Sequence, residues 1–213
     1  MTSYTPQLLG ALALFAFVSS ITPGPNNAML MASGANYGFL RTLPHLAGVV
    51  LGFVILLLAV GFGLGGLFFA YPAAHTVLKA LGAAYLLWLA WKIATAKGVG
   101  EGAANARPFT FLQAAGFQWV NPKAWTMAVG VVAAYVPRQG GAGDMLIGVL
   151  VVFVVNLPCA VAWTGSGVAL RRLLARPGAL RIFNWTMAAL LVASLVPILI
   201  DLVQPWLVVG MAA

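Results

Sequence analysis

The chain has 213 residues, of which 62% are hydrophobic and only 7% charged, against roughly a quarter charged in soluble domains. Eleven Lys and Arg with three Asp and Glu cannot clothe a soluble fold of this length in polar surface, so the composition excludes a water-solvated globule and makes lipid the main solvent. Nor does the net charge of +8 mark a nucleic-acid surface, because the basic residues fall in short clusters between apolar runs, the pattern that encodes membrane topology.

The first apolar run, Leu8 to Val18, has the length of a secretory signal. No basic residue precedes it, and the first charged side chain is Arg41, so it reads as a retained first span. A spanning helix needs about 20 mostly apolar residues, and six stretches qualify: Gln7 to Asn36, Leu43 to Ala70, Thr76 to Ile93, Phe109 to Val136, Met145 to Leu170, and Ile182 to Val203. The third is the shortest, bracketed by Lys79 and Lys92, whose stems can snorkel to the interfaces. Backbone groups in lipid have no other partners, so the spans are helices or strands of a closed barrel. Long apolar runs without alternation exclude the barrel, and the expected class is an all-α membrane protein of six transmembrane helices. Cys159, the single cysteine, allows no intrachain disulfide and reads as a small buried hydrophobe.

Orientation follows from the basic residues. Arg41 follows span one, Lys92, Lys97 and Arg107 follow span three, and Arg171, Arg172, Arg176 and Arg181 follow span five. The opposite side holds Lys79 and Arg138. The positive-inside rule puts the larger group in the cytoplasm and both termini outside it. Trp88, Trp91 and Trp185 then fall at cytoplasmic ends and Trp206 at the other, as an aromatic belt requires.

Span one is interrupted near its middle by Thr22, Pro23, Gly24, Pro25, Asn26 and Asn27. Each proline removes a backbone hydrogen bond and clashes with the preceding turn, and the glycine between them is free to leave the helix. A break is expected, with Asn26 and Asn27 suited to capping the amides of the second half-helix. Span four carries a matching interruption at Asn121, Pro122 and Lys123. With three spans per half, the second half enters the membrane from the opposite side. The expected organisation is two inverted three-helix halves, 1–107 and 108–213, each with a broken first helix. Paired broken helices point to a transporter's midplane site, where freed amides suit a carboxylate and freed carbonyls an ammonium. The bland alternative at each break is a kink, and for Pro158 beside Asn156 both readings stand.

Lys123 is the one charged residue near the centre of a span. An ion there costs at least a few kcal/mol, so it faces a polar cavity. It either holds a substrate carboxylate or excludes cations as a fixed positive charge, or it donates to broken-helix carbonyls around residues 20–23. Gln118, Asn156 and Tyr85 are weaker polar candidates on apolar helices. The spacings Gly34/Gly38, Gly48/Gly52 and Gly61/Gly65 are small-xxx-small patterns for close packing within the bundle, with a homodimer contact as the alternative. His45 and His75, at span ends, read as solvated interface histidines.

The run from Thr22 to Asn27, the run from Leu81 through Tyr85 and Trp88 to Lys92, and Val120 to Lys123 resemble, in order and over nearly the whole chain, the lysine-exporter superfamily of LysE/RhtB amino acid exporters. Trp91 to Thr95, with Leu46 to Gly48 and Leu51 to Phe53, looks closest to the branch exporting cysteine and O-acetylserine. The resemblance implies export of amino acids or their derivatives across a bacterial inner membrane, with protons as coupling ion. Many members have an acidic residue after the glycine of the second span, where this chain has Phe53. Another frequent acidic position, in span five, is Asn156 here. A carboxylate relay at the midplane is therefore not expected, which argues against a cationic cargo and for a small neutral zwitterion.

The reading is thus a carrier for a small amino acid substrate, in contact with membrane lipid and without cofactor, metal, nucleic acid or enzymatic activity. The substrate-binding set expected is Thr22, Pro23, Gly24, Pro25, Asn26, Asn27, Asn121, Pro122, Lys123 and Asn156. An intramembrane enzyme lacks its constellation, since His45, His75 and Ser166 are misplaced for a serine protease. A lipid-handling scaffold remains as the non-transport alternative, though it has no need of paired breaks.

Overall fold

The computed structural model describes residues 3–64, 72–95, 107–137, 141–174, 176, 178–196 and 200. Lys97, Glu101, Arg138, Asp201 and Trp206, with the side chains of His75, Lys79 and Arg172, lie outside the described residues. Helix α1 spans Pro6–Ile21, and its start is fixed by Thr5, whose Oγ1 accepts from the Leu8 amide at 3.2 Å. It stops because Pro23 disfavours helical geometry in the residue before it, and Thr22 is extended at ψ 140. Helix α2, Pro25–Tyr37, restarts with proline in its first turn, bent 56° from α1. The chain then turns at Gly38, whose φ of +83 favours glycine, into α3, Phe39–Ala59, which runs on as a wider turn over Val60–Leu64.

Helix α4 spans Pro72–Ala94. Helix α5, Phe111–Gln118, opens on a capping box in which Thr110 accepts from the Gln113 amide at 3.3 Å and Gln113 accepts from the Thr110 amide at 3.0 Å. After the break at 119–121 come α6, Pro122–Tyr135, then α7, Ala142–Leu174, and α8, Ala179–Ala193. Pro158 sits inside α7 without ending it.

All regular structure among the described residues is helical. Two stretches, Phe39–Leu64 and Ala142–Arg171, are long and apolar enough to cross a membrane, and the bent α1–α2 pair makes a third. Helices α4 and α8 contribute shorter apolar stretches, Ala80–Ala94 and Ala179–Ala193. The all-helical expectation holds among the described residues. Spans one, two and five of the six expected have the length and composition to cross, whereas α4, α8 and the broken α5–α6 stretch fall short. Residues 65–70 of span two and 197–199 and 201–203 of span six lie outside the described residues.

Helix α7, about 50 Å long at 1.5 Å per residue, is the central post, packed against α1, α2 and α3. Helix α3 packs on α5, and α4 on α8. Glycines set the closest approaches. A side chain at Gly34 would strike the Thr164 backbone, one at Gly167 the Met31 backbone, and Gly48 and Gly52 lie against Phe111, Ala114 and Ala115. Gly34, Gly48 and Gly52 thus serve packing within the chain. Many outward-facing side chains are large and apolar: Leu40 is 78% exposed, Leu112 77% and Ile182 71%. That inverts the pattern of a water-soluble protein and fits lipid contact.

The basic segments converge. The Arg171 guanidinium lies beside Gly38, while Tyr37, Lys92 and Arg107 line a single cavity. The segments after spans one, three and five therefore share one end of the bundle. At the other, the Ser3 amide donates to both Asp144 carboxylate oxygens, at 3.1 and 3.3 Å.

Candidate functional site

The two breaks meet. Lys123, in the first turn of α6, reaches across to the end of α1, where its Nζ donates to the Thr22 carbonyl at 2.7 Å, the Thr22 hydroxyl at 3.3 Å and the Pro23 carbonyl at 3.3 Å. All three acceptors are neutral oxygens at the negative end of a helix dipole. The lysine stem packs on Gly24, where a β-carbon would lie 2.8 Å from its Cδ.

The asparagines do something other than the expected capping of α2. Asn27 turns back to α1, its Nδ2 donating to the Ser20 carbonyl at 2.8 Å and the Thr22 carbonyl at 2.7 Å. Asn26 faces the other half, where its Nδ2 donates to Gln118 Oε1 at 2.8 Å and the Gln118 Nε2 returns a bond to Asn26 Oδ1 at 3.1 Å. Gln118 is fully buried and also donates to the Ala114 carbonyl at 2.9 Å. The breaks are consequently unequal. Asn121 Oδ1 accepts from the Lys123 amide at 3.1 Å and caps α6, whereas α2 begins at Gly24 without a side-chain cap. Its free first-turn amides form a positive end open to an anion.

Between these groups lies a cavity of about 40 Å³. Gly24, Asn26, Asn27, Asn121, Lys123 and Asn156 line it, six of the residues expected from the sequence. Thr22 and Pro23 stand behind Lys123 as acceptors, and Pro25 and Pro122 serve as first-turn residues of α2 and α6. Ser19, Ser20 and Phe53 also line the cavity. A Ser-Ser pair just before a break in an apolar span is the signal that marks the first two. Asn156 on α7 donates from Nδ2 to the Ser20 hydroxyl at 2.9 Å, and its buried Oδ1 has no partner among the described residues.

A second cavity, about 580 Å³, opens at the end where the basic segments meet. His45 lines it and is 1% exposed, so the solvated-interface reading is corrected. The Phe109 ring lies edge-on to the imidazole at 5.3 Å, and residues of α2, α4 and the segment before α5 line the same cavity. An aromatic series of Phe109, Tyr85 and Phe117, with centroids 6.4 and 5.4 Å apart, runs from this cavity toward Gln118. Among the described residues no group of three or more His, Cys, Asp or Glu has metal-binding geometry.

Residues 17–200 match the family model described as LysE type translocator. The chain is similar to the cysteine/O-acetylserine efflux proteins of Escherichia coli strain K12 and of Shigella sonnei strain Ss046, each 35% identical over 192 residues, covering 88% of this chain and 95% of the relative. No solved structure gives a significant match.

Proposed function

The chain belongs to the LysE type translocator family, and from that premise we propose that it is a bacterial inner-membrane secondary transporter that exports small neutral amino acids or their derivatives, such as cysteine, O-acetylserine, homoserine or threonine, by alternating access. The observation that carries the proposal is the convergence of two broken helices on one cavity, with Lys123 and the Asn156 Oδ1, unpartnered among the described residues, in its wall. The uncapped amides of α2 beside Lys123 suit a carboxylate, and Asn156 Oδ1 suits an ammonium. Phe53 and Asn156, at the positions where the family resemblance led one to expect acids, both face this cavity. A wall without carboxylates favours a zwitterion over a cationic amino acid.

The proposed architecture is six spans in two inverted halves, 1–107 and 108–213, with both termini extracytoplasmic. Packing supports it through an exchange relation: α3 packs on α5, the first half-helix of the second repeat, as α7 packs on α1, the first half-helix of the first. The α4–α8 contact maps onto itself under the same exchange. Rocking of the halves would carry the substrate across, and the central cavity holds little more than a few waters as it stands, so each loading step requires opening. The coupling ion proposed is the proton.

Export assays in cells overproducing the protein and fed dipeptides test this. The unsubstituted protein is expected to raise excretion of a small neutral amino acid, and Lys123→Ala to abolish it while the protein still inserts. Full export by Lys123→Ala would remove the site from its proposed place, and a flat profile over all amino acids would remove the exporter reading.

A further inference from the structure

The larger cavity is not used by the translocation site, yet it has the chemistry of a binding site. Lys92 and Arg107 supply two cationic groups to its wall, both exposed and so reachable from the basic end of the bundle. Lys92 is held by a neutral contact, its Nζ lying 4.6 Å from the Trp88 ring centroid. Asn36 gives its Nδ2 to the Ala32 carbonyl at 2.8 Å, which leaves its Oδ1 to accept from a ligand. Deeper in the wall is His45, 1% exposed, with neither ring nitrogen hydrogen-bonded among the described residues. Buried polar atoms are nearly always paired, and a neutral imidazole offers one donor and one acceptor. An imidazole unpaired among the described residues, in a cavity of about 580 Å³ whose largely apolar wall also carries Lys92, Arg107 and Asn36, is what a site for a small polar ligand provides.

We propose that this cavity is a second, cytoplasm-facing binding site for the zwitterion of a small neutral amino acid, loaded before the central one. Lys92 and Arg107 take the carboxylate, Asn36 Oδ1 the ammonium, and His45 the polar group of the substrate's side chain. The aromatic series Phe109, Tyr85 and Phe117 leads from its wall to the residue before Gln118. The inference rests on the exporter reading for the kind of ligand, and on geometry for its place. A lipid headgroup phosphate is the other anion that two cations at a membrane surface would attract, and the test separates the two.

The experiment uses the full chain carrying Lys123→Ala, which disables the central site, in nanodiscs of phosphatidylcholine, with labelled L-cysteine under reducing conditions as the probe. Saturable binding is expected, weakened about tenfold or more by adding Lys92→Gln with Arg107→Gln, exposed changes that keep a polar side chain and remove charge. His45→Leu is expected to weaken cysteine more than alanine, since alanine has no polar side-chain group for the imidazole. Binding should be unchanged in nanodiscs of phosphatidylglycerol. Displacement of cysteine by phosphatidylglycerol would assign the cations to lipid and overturn the proposal. So would a Lys123→Ala protein that binds no cysteine while the unsubstituted protein exports it. If the unsubstituted protein exports no amino acid, the exporter reading fails, and this inference with it.

Discussion

Asn26 and Gln118 exchange two hydrogen bonds, 2.8 and 3.1 Å long, across the meeting point of the two broken helices. One residue belongs to the first turn of α2 and the other ends α5, so the pair ties the first broken helix to the second beside the central cavity, whose wall Asn26 shares. Any movement of the halves that opens the cavity along this seam separates two amides and must rehydrate them.

Asn26→Ala therefore acts on stability and transport together. Gln118 is fully buried and would keep only its bond to the Ala114 carbonyl. Leaving a buried partner half satisfied costs about 1–3 kcal/mol. The expected outcome is a lower unfolding midpoint in detergent and reduced export. The double variant Asn26→Ala with Gln118→Leu should recover part of the stability, because both orphaned groups are then gone, without recovering export. Equal stability of the single and double variants would show that the pair is not coupled.

Lys123 separates two roles by the choice of replacement. Its Nζ neutralises the carbonyl end of α1 at Thr22 and Pro23. Arginine keeps the charge but spreads it over a fork that does not fit behind Gly24, where the lysine stem is already in contact. Lys123→Arg is expected to insert and fold while losing most export, and Lys123→Met to lose export with a smaller loss of stability, about 0.5–1.5 kcal/mol, because the Thr22 carbonyl keeps its bond from Asn27. Export rates beside thermal melting in detergent check both. Export by Lys123→Met at the unsubstituted rate contradicts the assignment.

The breaks were legible in the sequence because proline and glycine act on their own backbone: Pro23, Gly24, Pro25 and Pro122 dictate where a helix must stop and restart whatever surrounds them. Lys123 was legible because a central charge has few tolerable environments. The destination of the asparagines was not. Local rules favour capping the amides of α2, but the 56° bend exposes the last carbonyls of α1 to Asn27, and only the second half brings Gln118 to Asn26. The burial of His45 was hidden for a similar reason. Its cover comes from Phe109 and the end of α4, far along the chain, and a histidine near a span end carries no local mark of that.

Packing glycines give a prediction with an internal control. A β-carbon at Gly34 would meet the Thr164 backbone, whereas one at Gly116 meets nothing within 4 Å. Because α7 crosses α2 at the former, neither backbone can yield without shifting a whole helix. Gly34→Leu is expected to cost about 1–3 kcal/mol or more, seen as poor accumulation and a lowered melting temperature. Gly116→Ala, in a helix, should be neutral or gain up to about 1 kcal/mol. If the two variants behave alike, the close approach of α2 and α7 is not what glycine serves.

Asn156 offers the sharpest test of what sets the cargo. Its Oδ1 is buried and unpartnered among the described residues at the cavity wall, while its Nδ2 holds Ser20 at 2.9 Å. Asn156→Asp keeps the shape and turns the donor into an acceptor. The Ser20 hydroxyl can then donate in its turn, so the fold should survive. What changes is the charge presented to the substrate. A carboxylate here would attract a second positive charge, as on lysine or arginine, and it would also draw Lys123 away from the carbonyls of α1. The expected result is a preference shifted about tenfold toward cationic amino acids, equivalent to ~1.4 kcal/mol, with reduced export of neutral ones. Asn156→Leu, which removes the acceptor without adding charge, should weaken neutral cargo and leave cationic cargo unmoved. Excretion of labelled lysine and cysteine from cells carrying each variant decides it. An Asn156→Asp protein with the unsubstituted preference would mean that the substrate's ammonium does not sit against α7.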